Sequence, residues 1–323
     1  MSVVLFLTNQ CNLKCKYCFV PKCKETMNLD TYIKVINKLK DNNNHLTFFG
    51  GEPLLYFDLI KKIVKYNEDN NIELKYNINT NALLLEDEIL DYCLEKEFLL
   101  NVSLDGTKES NIINRCNEEQ FNKILKNIKA AINKKGNVIV NYVIDPSNIN
   151  NYYEGIKFLV DNQIYTICLM INYEAKWKKT DIEIFEKQQD KVIEFLLENR
   201  HVTLLPLESK IESIASNTPV KKCNFGNDNV IVSTKGELYP CMGFVNNKDY
   251  LIKEEKQQFK NTVDITKCTN CKYLPYCSNN CMCKYVKVDK ESEVDPNCCF
   301  EKIFIKSATN FIINKIDNIL ENL

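Results

Sequence analysis

Cys11, Cys15 and Cys18 stand in a CxxxCxxC spacing directly after an apolar stretch. Three thiolates so placed hold three irons of a [4Fe-4S] cube and leave the fourth iron open, whereas four would saturate it. An open iron is what substrate chemistry needs. The same spacing also suits a zinc knuckle, or cysteines buried as small hydrophobes. A second group, Gly50-Gly51-Glu52-Pro53, follows the next apolar run. Glycines without Cβ let backbone carbonyls approach a small ammonium group, and Glu52 adds a charged acceptor. Alone, that tetrapeptide reads equally as a strand-to-helix turn with proline at the first helical position. The third group is a series of seven cysteines: Cys223, Cys241, Cys268, Cys271, Cys277, Cys281 and Cys298. From 268 to 299 cysteine is too dense for a hydrophobic core, so metal must hold this lobe.

The elements that position these groups alternate along the first two hundred residues. Strands are expected over 3–8, 46–49, 72–79, 99–104, 137–144 and 165–171. Amphipathic helices are expected over 29–39, 58–67, 86–96, 119–133, 149–160 and 182–197, where apolar residues recur at three and four spacing. Six βα units in series imply a parallel sheet wrapped by helices, either a partial barrel or an open doubly wound sheet. Both architectures place function at the carboxyl ends of the strands. There the first four strands deliver the cysteine triad, Gly50 to Pro53, Asn79-Thr80-Asn81 and Ser103-Leu104-Asp105-Gly106. Beyond residue 205 the pattern changes to a short helix over 208–216, a break at Thr218-Pro219, and a hairpin over 229–239 that delivers Cys241. A last helix is expected over 303–320.

Composition narrows the chemistry. Forty-two basic against 43 acidic residues give a net charge of -1, so no overall field favours nucleic acid or an anionic membrane. The opening MSVVLFLT is a buried strand rather than a signal peptide, and no apolar run reaches the length of a membrane span. A cytoplasmic protein is expected. Sixteen cysteines in such a chain point to metal or cluster ligation rather than disulfides. Cys93, Cys116 and Cys168, scattered away from the others, read as core hydrophobes. With two histidines, His45 and His201, both remote from the cysteines, histidine-dependent zinc hydrolysis and Ser/His triads are excluded.

With Tyr17 at the aromatic position before the last thiol and Gly50-Gly51-Glu52-Pro53 after the second strand, the amino-terminal half resembles the radical SAM superfamily. That resemblance implies a [4Fe-4S] cluster on Cys11, Cys15 and Cys18 whose open iron binds S-adenosylmethionine (SAM). It implies that Tyr17 flanks the adenine and that Gly50, Gly51, Glu52 and Pro53 bind the SAM amino group. Ser103, Asp105 and Asn141 are candidate ribose or substrate contacts, and Asp105 and Arg115 are candidate catalytic residues. Arg115 is one of two arginines, and its planar guanidinium suits a carboxylate of SAM or of a peptide.

The carboxy-terminal cysteines resemble the SPASM domain of peptide-modifying radical SAM enzymes. By that resemblance Cys223, Cys241 and Cys281 hold a first auxiliary cluster, and Cys268, Cys271, Cys277 and Cys298 a second, with Cys299 able to replace Cys298. Two zinc sites are the alternative occupants of this lobe. The expected fold is therefore α/β. A partial (β/α)6 TIM barrel spans 1–206, a connecting helix 207–222, and a small SPASM domain with a hairpin and a carboxy-terminal helix 223–323.

The activity implied is reductive cleavage of SAM to a 5′-deoxyadenosyl radical, which takes hydrogen from a ribosomally made precursor peptide and leads to a thioether or carbon-carbon crosslink. Formylglycine formation in sulfatases is the second option. Relatives of that type carry an aspartate directly after the second SPASM cysteine, where this chain has Met242. Some relatives supply a fourth ligand to the first auxiliary cluster six residues after the first cysteine, where this chain has Asn229. An open iron is then expected there unless Cys283 or Cys299 closes it. Peptide epimerisation, with Cys283 or Cys299 as hydrogen donor, and a non-catalytic cluster or zinc protein complete the options. The partners implied are a precursor peptide and an electron donor such as flavodoxin or ferredoxin. Because the first barrel strand begins at residue 3, leader recognition is expected from a separate protein or from the barrel itself.

Overall fold

The computed structural model describes residues 2–39, 44–221, 223, 229–253, 266–278 and 281–320. The first strand, β1 (Ser2–Thr8), is buried at every position after the first. That explains its unbroken apolar run, because a strand with neighbours on both edges and layers on both faces has no polar side. It pairs in parallel with β2 (His45–Gly50), β2 with β3 (Lys75–Thr80), and β3 with β4 (Leu99–Ser103). In β2 to β4 alternate residues are buried, among them Leu46, Phe48, Tyr76, Ile78, Leu100 and Val102. Phe48, Tyr76 and Phe98 stack with ring centroids 5.3 to 6.1 Å apart. The opposite face carries Thr47, Asn77, Asn79, Asn101 and Ser103, all half-buried.

The helices α1 (Leu29–Leu39), α2 (Phe57–Asp69), α3 (Asp87–Glu95) and α5 (Glu118–Asn133) match the expected amphipathic stretches to within one or two residues at most ends. Helix α5 starts on a capping box in which Asn117 and Gln120 each accept from the other's backbone N–H. The hairpin expected over 229–239 forms as β8 (Asn229–Val232) and β9 (Leu238–Tyr239). Its first strand lies parallel to β1, with Val3 beside Val230.

A second set of parallel strands comprises β5 (Asn137–Ile144), β6 (Thr166–Ile171) and β7 (Thr203–Leu205). Around them lie α4 (Lys108–Asn114), α6 (Tyr152–Asp161), α7 (Lys179–Glu198), α8 (Leu207–Ala215), α9 (Met282–Lys287) and α10 (Pro296–Leu320). Helix α10 begins seven residues before the expected 303, since Pro296 opens it and Asp295 accepts the Cys298 and Cys299 N–H groups. Trp177 and Phe185 meet Phe300 edge-on, each with a centroid separation of 4.8 Å, which seats α10 against α7.

Two units interleave in sequence: Met1–Ser103 with Arg115–Ile139 and Asn224–Asn261, and Leu104–Asn114 with Val140–Cys223 and Thr262–Leu323. Among the described residues no helix is long and apolar enough to cross a membrane.

Candidate active site

The triad lies on a loop between β1 and α1 whose ends are pinned together. Asn9 N–H donates to Glu25 O at 3.0 Å and Met27 N–H to Leu7 O at 2.8 Å, while Leu13 and Val20 are buried beneath it. Within the loop, Cys18 N–H donates to Cys15 O and Leu13 N–H to Cys11 Sγ. Lys22 Nζ lies 3.2 Å from Cys18 Sγ. Burial would lower the Lys22 pKa, but Cys11, Cys18 and Cys15 outweigh it and raise the value, so all three thiols act on one cation. Burial holds the Cys11 thiol above its ordinary pKa. Among the described residues no three Cys, His, Asp or Glu side chains gather tightly enough for a single ion. A cube takes one thiolate per iron and so asks for a wider set, which this loop of three soft donors around a positive group fits.

The end of β2 is fitted against the residues that lead into Cys11. Gly51 N–H donates to Thr8 O at 2.7 Å and Glu52 N–H to Gln10 O at 2.8 Å. A Cβ on Gly50 would lie 2.2 Å from Thr8 O, and one on Gly51 2.0 Å from Gln10 O, and Gly50 has φ +132°. Both glycines are therefore required by backbone packing, before any ligand is considered. Glu52, 1% exposed, accepts from Leu54 N–H and Thr80 Oγ1 on one oxygen and from Asn81 N–H on the other, at 2.7 to 3.0 Å. Burial raises its pKa, against the pull of these donors and of Arg115. Pro53 opens the short helical turn that follows. Asn81 then donates to Asn12 Oδ1 at 2.7 Å and to Cys11 Sγ at 3.8 Å. A continuous path thus runs from the Glu52 carboxylate through Asn81 to the first thiol. Sequence reasoning missed Thr80, Asn81 and Lys22 as individuals, although the first two sit at a strand end where polar residues signal a site.

Arg115 reaches the same loop. Its Nη1 donates to Tyr17 Oη at 2.8 Å, and the guanidinium carbon is 5.9 Å from the Tyr17 ring centroid. Ser103 closes β4, half-buried. Asp105 is wholly buried; its Oδ1 accepts from Val143 N–H at 3.2 Å and its own N–H donates to Asn111 Oδ1 at 3.0 Å. That places Asp105 as a strap between the residues after β4 and strand β5. Asn141, 9% exposed, accepts the Leu104 N–H on its backbone carbonyl.

No disulfide links any of the sixteen cysteines. Cys93 is fully buried and its thiol is pushed up to about 12 by burial, as befits a core residue. Cys241 follows β9, and the next residue, Met242, packs against the core of Val4, Phe6, Val20, Ile231 and Tyr239. Cys281 is held well below the ordinary thiol range by a hydrogen bond with Cys223, against burial and with help from the Lys284 and Cys283 backbone. Cys271 N–H donates to Cys268 O at 2.9 Å, the tight turn expected of a CxxC pair. The Lys302 pKa is raised first by Cys298, with which it hydrogen-bonds, and further by the charges of Cys271 and Cys299. Asn229 is exposed at the start of β8.

Residues 5–159, which contain the triad loop, Glu52, Asn81 and Arg115, match the family model of the Radical SAM superfamily. This stretch is a radical SAM domain. The chain is accordingly an enzyme whose cofactors are a [4Fe-4S] cluster and SAM. It is 26% identical to the cysteine-type anaerobic sulfatase-maturating enzyme of Clostridium novyi (strain NT), over 97% of this chain and 94% of that one. Among solved structures, native anSMEcpe with bound AdoMet is similar with a TM-score of 0.79 and 21% identity, covering 98% of this chain and 99% of that one. SuiB of Streptococcus suis bound to precursor peptide SuiA is similar with a TM-score of 0.66 and 16% identity, covering 92% and 75%. These likenesses establish the fold: a partial barrel of parallel strands and helices, continued through the cysteine-rich lobe.

Proposed function

We propose that this radical SAM enzyme modifies a side chain of a peptide or protein in the cytoplasm. The alignment to a sulfatase-maturating relative carries the reading, because it runs through the cysteine-rich lobe and not the barrel alone. The similar solved structures include complexes with a peptide, Cp18Cys in one and SuiA in another. The cluster and SAM, when bound, supply the one-electron chemistry that removes a hydrogen atom from an unactivated position.

The chain's own residues divide the remaining work. Cys11, Cys15 and Cys18 hold the cluster, and Glu52 with Thr80 and Asn81 fixes the strand ends around it. Gly50, Gly51 and Pro53 shape the place for the SAM amino group, while Ser103 and Asn141 serve the ribose. Tyr17, steadied by Arg115, flanks the adenine and leaves the guanidinium facing a carboxylate. In the lobe that begins at residue 223, Cys223, Cys241 and Cys281 hold one auxiliary cluster. Cys268, Cys271, Cys277 and Cys298 hold the other, and the Lys302 neighbourhood supports Cys298 or Cys299 as its last ligand.

Arg115→Lys is expected to weaken SAM binding at least tenfold, as the loss of one charge-assisted bond implies. Equal SAM affinity and turnover in the two proteins would remove Arg115 from the site.

Among peptide modifications, crosslinking is favoured by Met242. A thioether sulfur in a packed core takes no proton at the position where formylglycine-forming relatives carry aspartate. Mass spectrometry of a peptide encoded beside this gene, co-expressed with the enzyme, tests the assignment. Loss of two hydrogens, with fragmentation showing two residues joined by a new bond, is the expected result; the same loss confined to one serine would mean formylglycine. Exchange of a cysteine sulfur for oxygen with loss of two hydrogens would instead establish formylglycine, and an unchanged mass with a D-residue an epimer.

A further inference from the structure

Residues 11–24 contain Lys14, Lys16, Lys22 and Lys24 and no aspartate or glutamate, in a chain whose acids outnumber its bases by one. Elsewhere on the surface Lys61, Lys65, Lys96, Lys123 and Lys134 each face a carboxylate, while others, Lys62 and Lys126 among them, are exposed without an ion pair among the described residues; residues 11–24 differ in having no acid of their own beside the cysteine triad. Lys14, Lys16 and Lys24 are exposed and form no ion pair among the described residues. The first acid after them, Glu25, is already engaged by Lys235 Nζ at 2.9 Å, with Thr234 Oγ1 and Asn9 Nδ2 donating to its second oxygen. Its charge is thereby spent within the fold. Phe19, in the middle of the run, is 42% exposed and backed by the Phe49 ring at 6.2 Å. Lys22 turns toward the thiols, so its charge is committed inward.

We propose that this loop is the docking face for the protein that reduces the cluster, an acidic one-electron carrier whose carboxylates meet Lys14, Lys16 and Lys24 and whose apolar surface meets Phe19. A radical SAM domain needs one electron per SAM cleaved. Electron transfer weakens steeply with distance, so the carrier has to approach the loop that bears Cys11, Cys15 and Cys18. Unpaired lysines on that loop attract and orient an anionic partner, and the exposed Phe19 ring on the same loop adds an apolar contact. In the transfer an anionic flavin hydroquinone becomes the neutral semiquinone while the cluster goes from its 2+ to its 1+ state; no atom moves. The inference rests on the radical SAM domain and is independent of the substrate class.

The test compares the reconstituted wild-type enzyme with the Lys14→Glu, Lys16→Glu, Lys24→Glu triple variant, following cluster reduction by flavodoxin hydroquinone in stopped flow. At low salt the second-order rate constant is expected to fall at least tenfold in the variant. Added salt slows the wild type and closes the gap. Iron content and reduction by photoreduced 5-deazaflavin stay unchanged, and the Lys→Gln triple variant falls between. Equal flavodoxin rates in the two proteins would overturn the assignment. So would a deazaflavin rate slowed by the same factor, or a wild-type rate that ignores salt.

Discussion

Cys15→Ala is expected to abolish formation of 5′-deoxyadenosine from SAM and to remove about four irons per chain. The reason is ligand number: two thiolates cannot keep a cube that already runs one ligand short. The fold should outlast the loss. The loop is pinned by backbone bonds from Asn9 and Met27, by the Thr8 and Thr26 bridge and by buried Leu13 and Val20, none of which uses the Cys15 side chain. Circular dichroism and the thermal midpoint of the metal-free variant should therefore match the metal-free wild type. Cys23→Ala provides the contrast. Cys23 is exposed, and its sulfur accepts from Asn9 Nδ2 at 3.4 Å, so its loss should spare both iron and SAM cleavage. A Cys15→Ala protein that kept the full iron content would move the ligand role to another residue.

The radical SAM domain was legible because a cluster motif is local: three thiols within eight residues need no knowledge of the rest of the chain. The barrel strands were legible for a related reason. Parallel strands with layers on both faces are apolar runs, and the helices that cover them keep a three-four period, so β1 to β6 and most helices fall where the pattern puts them. Short elements were not legible. Strand β7 has three residues, α4 opens on Lys-Glu-Ser-Asn, and α9 is hidden among cysteines and lysines. Long-range polar contacts were illegible altogether. The bond from Asn81 to Asn12 spans 69 residues and that from Arg115 to Tyr17 spans 98, and neither leaves a trace in periodicity. Gly50 and Gly51 show how one signal can carry two causes. Their lack of Cβ was read as room for a ligand, and the structure shows it is first of all room for the end of β1 and the two residues that follow it.

Lys210→Met should lower stability by about 3–5 kcal/mol, the usual cost of removing one partner from a buried ion pair. Lys210 is fully buried in α8, and its ammonium donates to Glu301 of α10 at 2.7 Å, to Tyr276 O at 2.8 Å and to Ser278 Oγ at 3.0 Å. Glu301 also accepts from Ser278 N–H and Oγ, at 2.9 and 2.7 Å. The network therefore clamps the residues on both sides of Cys277 between two helices. In the wild type burial pushes the Glu301 pKa up, but Lys210 and Ser278 outweigh it and hold the carboxyl below its ordinary value. Such a group adds stability above the unfolded carboxyl pKa and loses it as pH falls through the lower folded value. Without Lys210, burial prevails and the pKa rises, so the variant's deficit is largest at neutral pH and narrows as acid protonates Glu301. Urea unfolding of wild type and variant at pH 5 and pH 8 reads this directly, and Lys210→Met with Glu301→Leu should recover part of the loss. A deficit unchanged between those pH values, with no recovery in the double variant, would mean that methionine is failing to fill the space and that the charge pair contributes nothing of its own.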